Sequence, residues 1–151
     1  MKGGAMEETN VKDSLCFPLY AASRKVINSY APYLKPLGLT YTQYLVLSVL
    51  FEKDHIPVSE IGSKLYLDSG TLTPLLKKME KEGYLSRKRC NEDERVVRVC
   101  LLEKGKALAK PLSTIPGCVR ASHPLTPEQS HELAEILEAI LAEKGGSSHA
   151  V

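Results

Sequence analysis

The chain has no tryptophan and only two phenylalanines, and its four cysteines form no Cys-x-x-Cys pair. Cys16, Cys90, Cys100 and Cys118 are widely scattered, which argues against a zinc ribbon or a thioredoxin-type site. No metal site and no cofactor are expected. There is no long hydrophobic run either. The longest, Tyr44–Phe51, is interrupted by Ser48 and is too short to span a bilayer. The stretch Met1–Glu8 lacks the charged-then-apolar pattern of an export signal. A cytoplasmic protein with reduced thiols and no membrane partner is the expectation. Neither charge sign dominates: 20 Lys and Arg stand against 18 Asp and Glu. A wholly basic nucleic-acid binder is therefore excluded, and any such role must rest on where the charge sits.

What is present fits one globular domain. The length is 151 residues, with 43% hydrophobic and 25% charged residues, which excludes disorder and small disulfide scaffolds. Residues 1–12 read as a loose arm and 145–151 as a flexible tail. A first helix is expected from Ser14–Cys16 to Tyr30, because Leu15, Leu19, Ala22 and Val26 share a helical stripe and Pro18 is tolerated only near the start. The prolines and glycine of residues 31–38 read as a connection. Thr40 and Gln43 have capping-box spacing, and Leu39 can staple against Tyr44. Tyr44, Leu47, Leu50 and Phe51 then form the buried side of the next helix. Pro57 opens a short helix near Val58–Tyr66.

Asp68-Ser69-Gly70-Thr71 starts a longer helix with Leu72, Leu75, Leu76 and Met79 inward, and Gly83 ends it. Pro74 should truncate or tighten its first turn. The period then changes. Tyr84–Arg89 and Arg95–Leu102 alternate as strands around a charged tip, giving a hairpin. One further helix from Glu103 has Pro111 and Ile115-Pro116-Gly117 as weak points. Thr126 and Gln129 form a second capping box, and Leu133, Ile136, Leu137, Ile140 and Leu141 make one stripe of the last helix.

The fold class is thus mainly α with a small β-hairpin. Residues 40–102 have the order of a winged helix-turn-helix, flanked by a helical dimerisation region made of 13–39 and 103–144. The apolar stripes of the first and last helices exceed what one small lobe can cover, so a homodimer is expected. Charge is uneven. Between Lys77 and Arg98 lie eight basic and five acidic residues, whereas 128–143 holds five glutamates and no Lys or Arg. A basic middle suits phosphate contacts with double-stranded DNA. From the helix start, Ser69, Thr71, Thr73 and Lys77 are the candidate contacts, with Arg95 reaching from the wing.

These elements resemble the MarR family of dimeric bacterial transcription regulators. The tip Asn91-Glu92-Asp93-Glu94-Arg95 is similar to that family's wing signature, in which Asp93 would orient Arg95. Leu15-Cys16-Phe17-Pro18-Leu19-Tyr20-Ala21-Ala22-Ser23-Arg24 resembles the peroxide-sensing motif of the organic hydroperoxide resistance regulators. Leu37–Tyr44 and Leu67–Leu76 are similar to the same subfamily, and the likeness spans about residues 13–144. It implies a redox-sensing repressor and no enzyme: Cys16 is oxidised by an organic hydroperoxide and operator DNA is released.

The chemistry of Cys16 is legible in part without the likeness. An early-turn position lets helix N–H groups stabilise a thiolate. Leu15 and Phe17 point to an apolar pocket, which disfavours charge, so polar donors must assist. The resemblance assigns that role to Tyr30 and Tyr41 of the partner subunit, with Tyr20, one turn along, as a weaker candidate. It also implies that the sulfenic acid formed on Cys16 condenses either with a small external thiol or with a second cysteine of the partner subunit; Cys118 lies in about that region, and an intersubunit Cys16–Cys118 disulfide is the favoured expectation. Cys90 and Cys100 have no partner at an informative spacing. Three rival readings stay open at the level of sequence. One is a regulator released by a small ligand with Cys16 structural. The others are a thiol peroxidase and a constitutive DNA-packaging protein.

Overall fold

A computed structural model describes residues 14–90, 93 and 95–142. The expected arm, the tail, and Asn91, Glu92 and Glu94 of the wing tip lie outside the described residues. The chain divides into two compact units, one ending at Val119 and one beginning at Arg120.

In the first unit, α1 runs Cys16–Ser29. Its start agrees with the proline argument: Pro18 stands in the first turn, where its missing N–H breaks no helix bond. The residues read as a plain connection are more ordered. They form α2 (Ala31–Leu34) and a 3₁₀ turn (Lys35–Leu37), ended by Gly38 at φ +70°. That left-handed backbone is the reason for glycine here.

Helix α3 (Tyr41–Glu52) carries the capping box read from sequence. Thr40 N donates to Gln43 Oε1 at 2.9 Å, and Gln43 N donates to Thr40 Oγ1 at 3.3 Å. Tyr44, Leu47 and Leu50 are buried, and so are Val46 and Val49. Phe51 is only partly buried, contrary to expectation, because the core wraps the Val46–Val49 side instead.

Helices α4 (Val58–Leu65) and α5 (Ser69–Lys81) form the helix-turn-helix. At the turn Tyr66 is left-handed, and Leu67 N donates to Gly62 O at 3.0 Å. A Cβ on Gly62 would lie 2.9 Å from that Leu67 oxygen, so the close turn requires glycine. Asp68 caps α5 by accepting from Thr71 N at 2.8 Å. Pro74 does not truncate the helix, which continues unbroken through it to Lys81.

The hairpin is β2 (Leu85–Arg89) and β3 (Val97–Leu101), antiparallel with Leu85 opposite Leu101 and Arg89 opposite Val97. A third strand, β1 (Ile56–Pro57), pairs with the other edge of β3, giving the order β1-β3-β2. Two residues, one of them proline, carry no alternation, so sequence does not reveal this strand. The single helix expected after Glu103 is three: α6 (Glu103–Lys106), α7 (Ala109–Ser113) and α8 (Ile115–Ala121). Pro111 and Pro116 each fall in the first turn of a new helix, the position proline tolerates.

One core joins these parts. Leu34 and Leu39 from before Thr40, and Leu112, Ile115 and Val119 from beyond Leu102, are buried in the same cluster as Leu47, Leu72, Met79 and Val99. The boundaries drawn at 39/40 and 102/103 therefore cut through a common core. The second unit holds α9 (Pro127–Ala142), opened by the expected box between Thr126 and Gln129. Leu133, Ile136, Ile140 and Leu141 of its apolar stripe are exposed.

Candidate functional site

Cys16 is the first residue of α1, in the turn whose N–H groups have no partner within the helix. It is exposed, and the described residues of the chain do not enclose it in the apolar pocket that was expected. Leu15 is 72% exposed, and Phe17 and Leu19 are exposed as well. No residue of α1 is buried.

Three tyrosines gather at the opposite end of this helix. Tyr30 follows Ser29 directly, and its ring packs edge-on against Tyr41 with centroids 5.0 Å apart. Tyr44 completes the group at 5.4 Å from Tyr30 and 5.9 Å from Tyr41. Burial, with the neighbouring Tyr44 hydroxyl second, pushes the Tyr41 phenol up from its usual range, so it stays a hydrogen-bond donor at neutral pH. Tyr30 and Tyr41 are thus brought together, as the sequence likeness implies, but not to Cys16 of their own chain. Fourteen helical residues at about 1.5 Å each separate Cys16 from Tyr30 by roughly 21 Å along the axis.

Tyr20 lies one turn from Cys16, and its hydroxyl accepts from Arg24 Nη1 at 3.1 Å. The guanidinium also stands 5.6 Å from the Tyr20 ring centre. Arg24 therefore engages the hydroxyl of the weaker candidate donor. Cys118 lies in α8 and is exposed.

Cys100, to which sequence gave no partner, has one. Its Sγ is 2.9 Å from His55 Nδ1. His55 adopts φ +60° just before β1, and Asp54 accepts from both His55 N and Leu101 N. Burial first, and then the Asp54 charge, push the Cys100 thiol up. The residues are 45 apart in the chain, so no local pattern announces the pair.

Helix α5 exposes Ser69, Thr71 and Lys77, with Thr73 half-buried. Ser69, Thr73 and Lys77 follow one another at i, i+4 spacing along one stripe. Thr71 does not share that stripe. It is engaged with the cap, its hydroxyl 3.4 Å from Asp68 Oδ2. The Thr71 N–H holds the Asp68 carboxyl below its usual range. Thr73 instead lines a groove between α5 and the wing, together with Arg87, Arg95, Val96 and Val97. Arg95 is almost wholly exposed and lies 3.7 Å from Asp93 Oδ1, which also accepts from Arg95 N at 3.0 Å.

Of the basic residues counted in the sequence, Arg87 is paired with Glu80 at 2.8 Å, and Arg98 donates to His55 O at 2.9 Å. Those two position the wing, which leaves Lys77 and Arg95 as the better placed of the candidate basic contacts.

Comparison with known proteins settles the class. The model of SarA/Rot transcriptional regulators matches residues 28–112. Over 135 residues the chain is 42% identical to the organic hydroperoxide resistance transcriptional regulator of Bacillus subtilis (strain 168), spanning 89% of this chain and 92% of that protein. The chain belongs to the MarR-type transcriptional regulators of the organic hydroperoxide resistance group. Two solved structures of AbfR of Staphylococcus epidermidis extend the match. Reduced AbfR bound to DNA is 32% identical with a TM-score of 0.73, covering 84% of this regulator and 87% of that chain. Disulfide-formed AbfR is 33% identical with a TM-score of 0.64, covering 84% and 89%. Among the described residues of this regulator, no helix is long and apolar enough to cross a membrane, and no cluster of metal-ligating side chains occurs.

Proposed function

We propose that this regulator is a cytoplasmic homodimeric repressor that binds operator DNA when reduced and releases it when organic hydroperoxides oxidise Cys16. It acts as a switch, without catalytic turnover. The observation that carries the reading is the roughly 21 Å between Cys16 and Tyr30 at opposite ends of one continuous helix. A thiolate–phenol hydrogen bond spans about 3 Å, so it requires the tyrosines of a second copy. A two-fold axis supplies this arrangement twice, because residue i then meets j while j meets i. It also covers α1, which has no buried residue of its own and is too short to be stable bare in water. The exposed stripe of α9 offers further surface to the same dimer.

In the reaction, the Cys16 thiolate attacks the peroxide, an S–O bond forms, the O–O bond breaks and an alcohol leaves. Tyr30 and Tyr41 of the partner subunit donate to the thiolate and to the departing oxygen, with Tyr20 at the rim. The thiol of the partner's Cys118 then displaces hydroxide from the sulfenic sulfur, giving water and an intersubunit disulfide. The disulfide shears the two DNA-binding lobes. The two α5 helices must sit about one DNA turn, roughly 34 Å, apart to reach both half-sites, so a small rotation releases the duplex. Ser69, Thr73 and Lys77 contact the major groove, Thr71 at the capped helix start faces the backbone beside it, and Arg95, oriented by Asp93, reaches the minor groove.

Fluorescence anisotropy on DNA from upstream of the regulator's own gene, titrated with cumene hydroperoxide, tests the reading. Wild type should release, and Cys16→Ser should stay bound. Cys118→Ser should release only when a small thiol is added. Equal responses of wild type and Cys16→Ser would defeat the proposal in favour of a ligand-released regulator.

A further inference from the structure

We propose that Gln43 is a positioning residue that couples the tyrosine cluster to helix α5 through Glu82, an inference that rests on the peroxide-sensing reading above. Among the described residues Gln43 is the one polar side chain placed in the core, at 1% exposure. Both ends of its amide are used. The carbonyl closes the cap of α3 by accepting from Thr40 N, and Nε2 donates to Glu82 Oε2 at 2.9 Å, 39 residues away.

Glu82 is a junction. It is the C-cap of α5, its N–H bonded to Lys78 O, and its own carbonyl accepts from Lys104 Nζ of α6 at 2.7 Å. Gln43 therefore ties the first turn of α3 to the end of α5, and α6 holds the same end.

Its place in the sequence is what makes the tie informative. Gln43 lies between Tyr41 and Tyr44, whose rings pack on Tyr30. Breaking the hydrogen bonds of Tyr30 and Tyr41 to a partner's thiolate releases this turn of α3. The amide cannot then shift alone, because a buried donor left without its acceptor costs more than an exposed bond gains. The end of α5 moves with it.

The choice of residue supports the link. A glutamate at this position would close the capping box as well as glutamine does. It would, however, set a second carboxylate against Glu82, and two like charges in one partly buried site repel. The cap alone does not require an amide; the bond to Glu82 does.

The test compares Gln43→Glu, Glu82→Gln and the combination of both, which restores one amide and one carboxylate with the roles reversed. For each dimer, Cys16 oxidation by cumene hydroperoxide is followed by thiol labelling and mass spectrometry. Affinity for the upstream DNA is measured before and after oxidation. Gln43→Glu should be oxidised at the wild-type rate, but its ratio of reduced to oxidised affinity should fall by about tenfold, within the usual range of coupling between sites. The combined variant should recover the ratio. If Gln43→Glu does not fold, Glu82→Ala, at the half-exposed end of the link, is read the same way. An unchanged ratio in a responsive background, or no recovery in the combined variant, overturns the link alone. Loss of the oxidative response in wild type itself overturns the peroxide reading and the link with it.

Discussion

The wing should owe its fastening to α5 largely to one carboxylate. Glu80, in the last turn of α5, accepts from Arg87 Nη2 at 2.8 Å and Nε at 3.0 Å, and from the Arg87 backbone N–H at 2.8 Å. Arg87 is in β2, so these three bonds fasten the wing to the helix. The side chains are 24% and 35% exposed, which places the pair between two regimes. A hydrogen bond to a charged group contributes about 1.5–3 kcal/mol when shielded, and a solvated ion pair about 1 kcal/mol or less. Discounting for the exposure, Glu80→Ala should cost about 1–2 kcal/mol, or roughly 2–8 °C in Tm for a chain of this size. Arg87 holds the Glu80 carboxyl below its usual range, first through its side chain and then through its backbone N–H. A folded-state value that is depressed gives stability that is fully present above the unfolded value and lost as pH falls through the folded one. The gap between wild type and variant should therefore be constant at neutral pH and close in acid, below about pH 4. Urea unfolding at fixed protein concentration, with the cycle Glu80→Gln, Arg87→Met and the double variant, measures the coupling. A coupling energy within about 0.3 kcal/mol of zero, or a gap unchanged in acid, would refute the reasoning. Operator binding should weaken with stability, because Arg95 at the tip loses its fixed approach.

Three further outcomes are expected. Gly105→Ala should destabilise by about 1–3 kcal/mol or more, since its Cβ would lie 2.2 Å from the backbone oxygen of Tyr84, while Gly117→Ala, with nothing within 4 Å, should not; thermal melts of the two variants decide this. Arg95→Ala should weaken operator binding and reduce the salt slope of log K by about one, with the dimer unchanged by sedimentation. At neutral pH Asp54→Asn should speed iodoacetamide labelling of Cys100, because burial and the Asp54 charge hold that thiol up; peptide mass spectrometry over time reads the rate in wild type and variant.

The sequence discloses structure where the physics is local. Thr40 with Gln43, Asp68 with Thr71, and Thr126 with Gln129 each close within three residues, so spacing alone announces them. The hairpin is legible for the same reason: Val97, Val99 and Leu101 alternate against a nearby strand. Contacts that cross the fold are silent. Gln43 to Glu82 and Cys100 to His55 join residues 39 and 45 apart, and nothing in either segment marks its counterpart. The prolines are read correctly in one place and not in another. Pro74 is tolerated inside α5, where Leu72 and Leu76 on either side of it are wholly buried and hold the helix in place. Pro111 and Pro116, read as weak points of one helix, each fall in the first turn of a separate one.

The candidate site divides in the same way. Cys16 is conspicuous in sequence because its surrounding motif is distinctive, yet the described residues of its own chain leave it exposed. The reason is geometric. A continuous helix that starts with the thiol and ends against Tyr30 keeps donor and acceptor apart by its own length. The longer and straighter that helix, the more securely it prevents the contact within one chain, and the more the contact depends on a second helix running the other way. On this reading the separation is what makes sensing conditional on assembly: a single chain holds Cys16 at one end of α1 and Tyr30, packed on Tyr41, at the other. The dimer, which DNA binding needs for its two half-sites, is then also the smallest unit that can respond to a peroxide, so an unassembled chain neither occupies the operator nor consumes the signal.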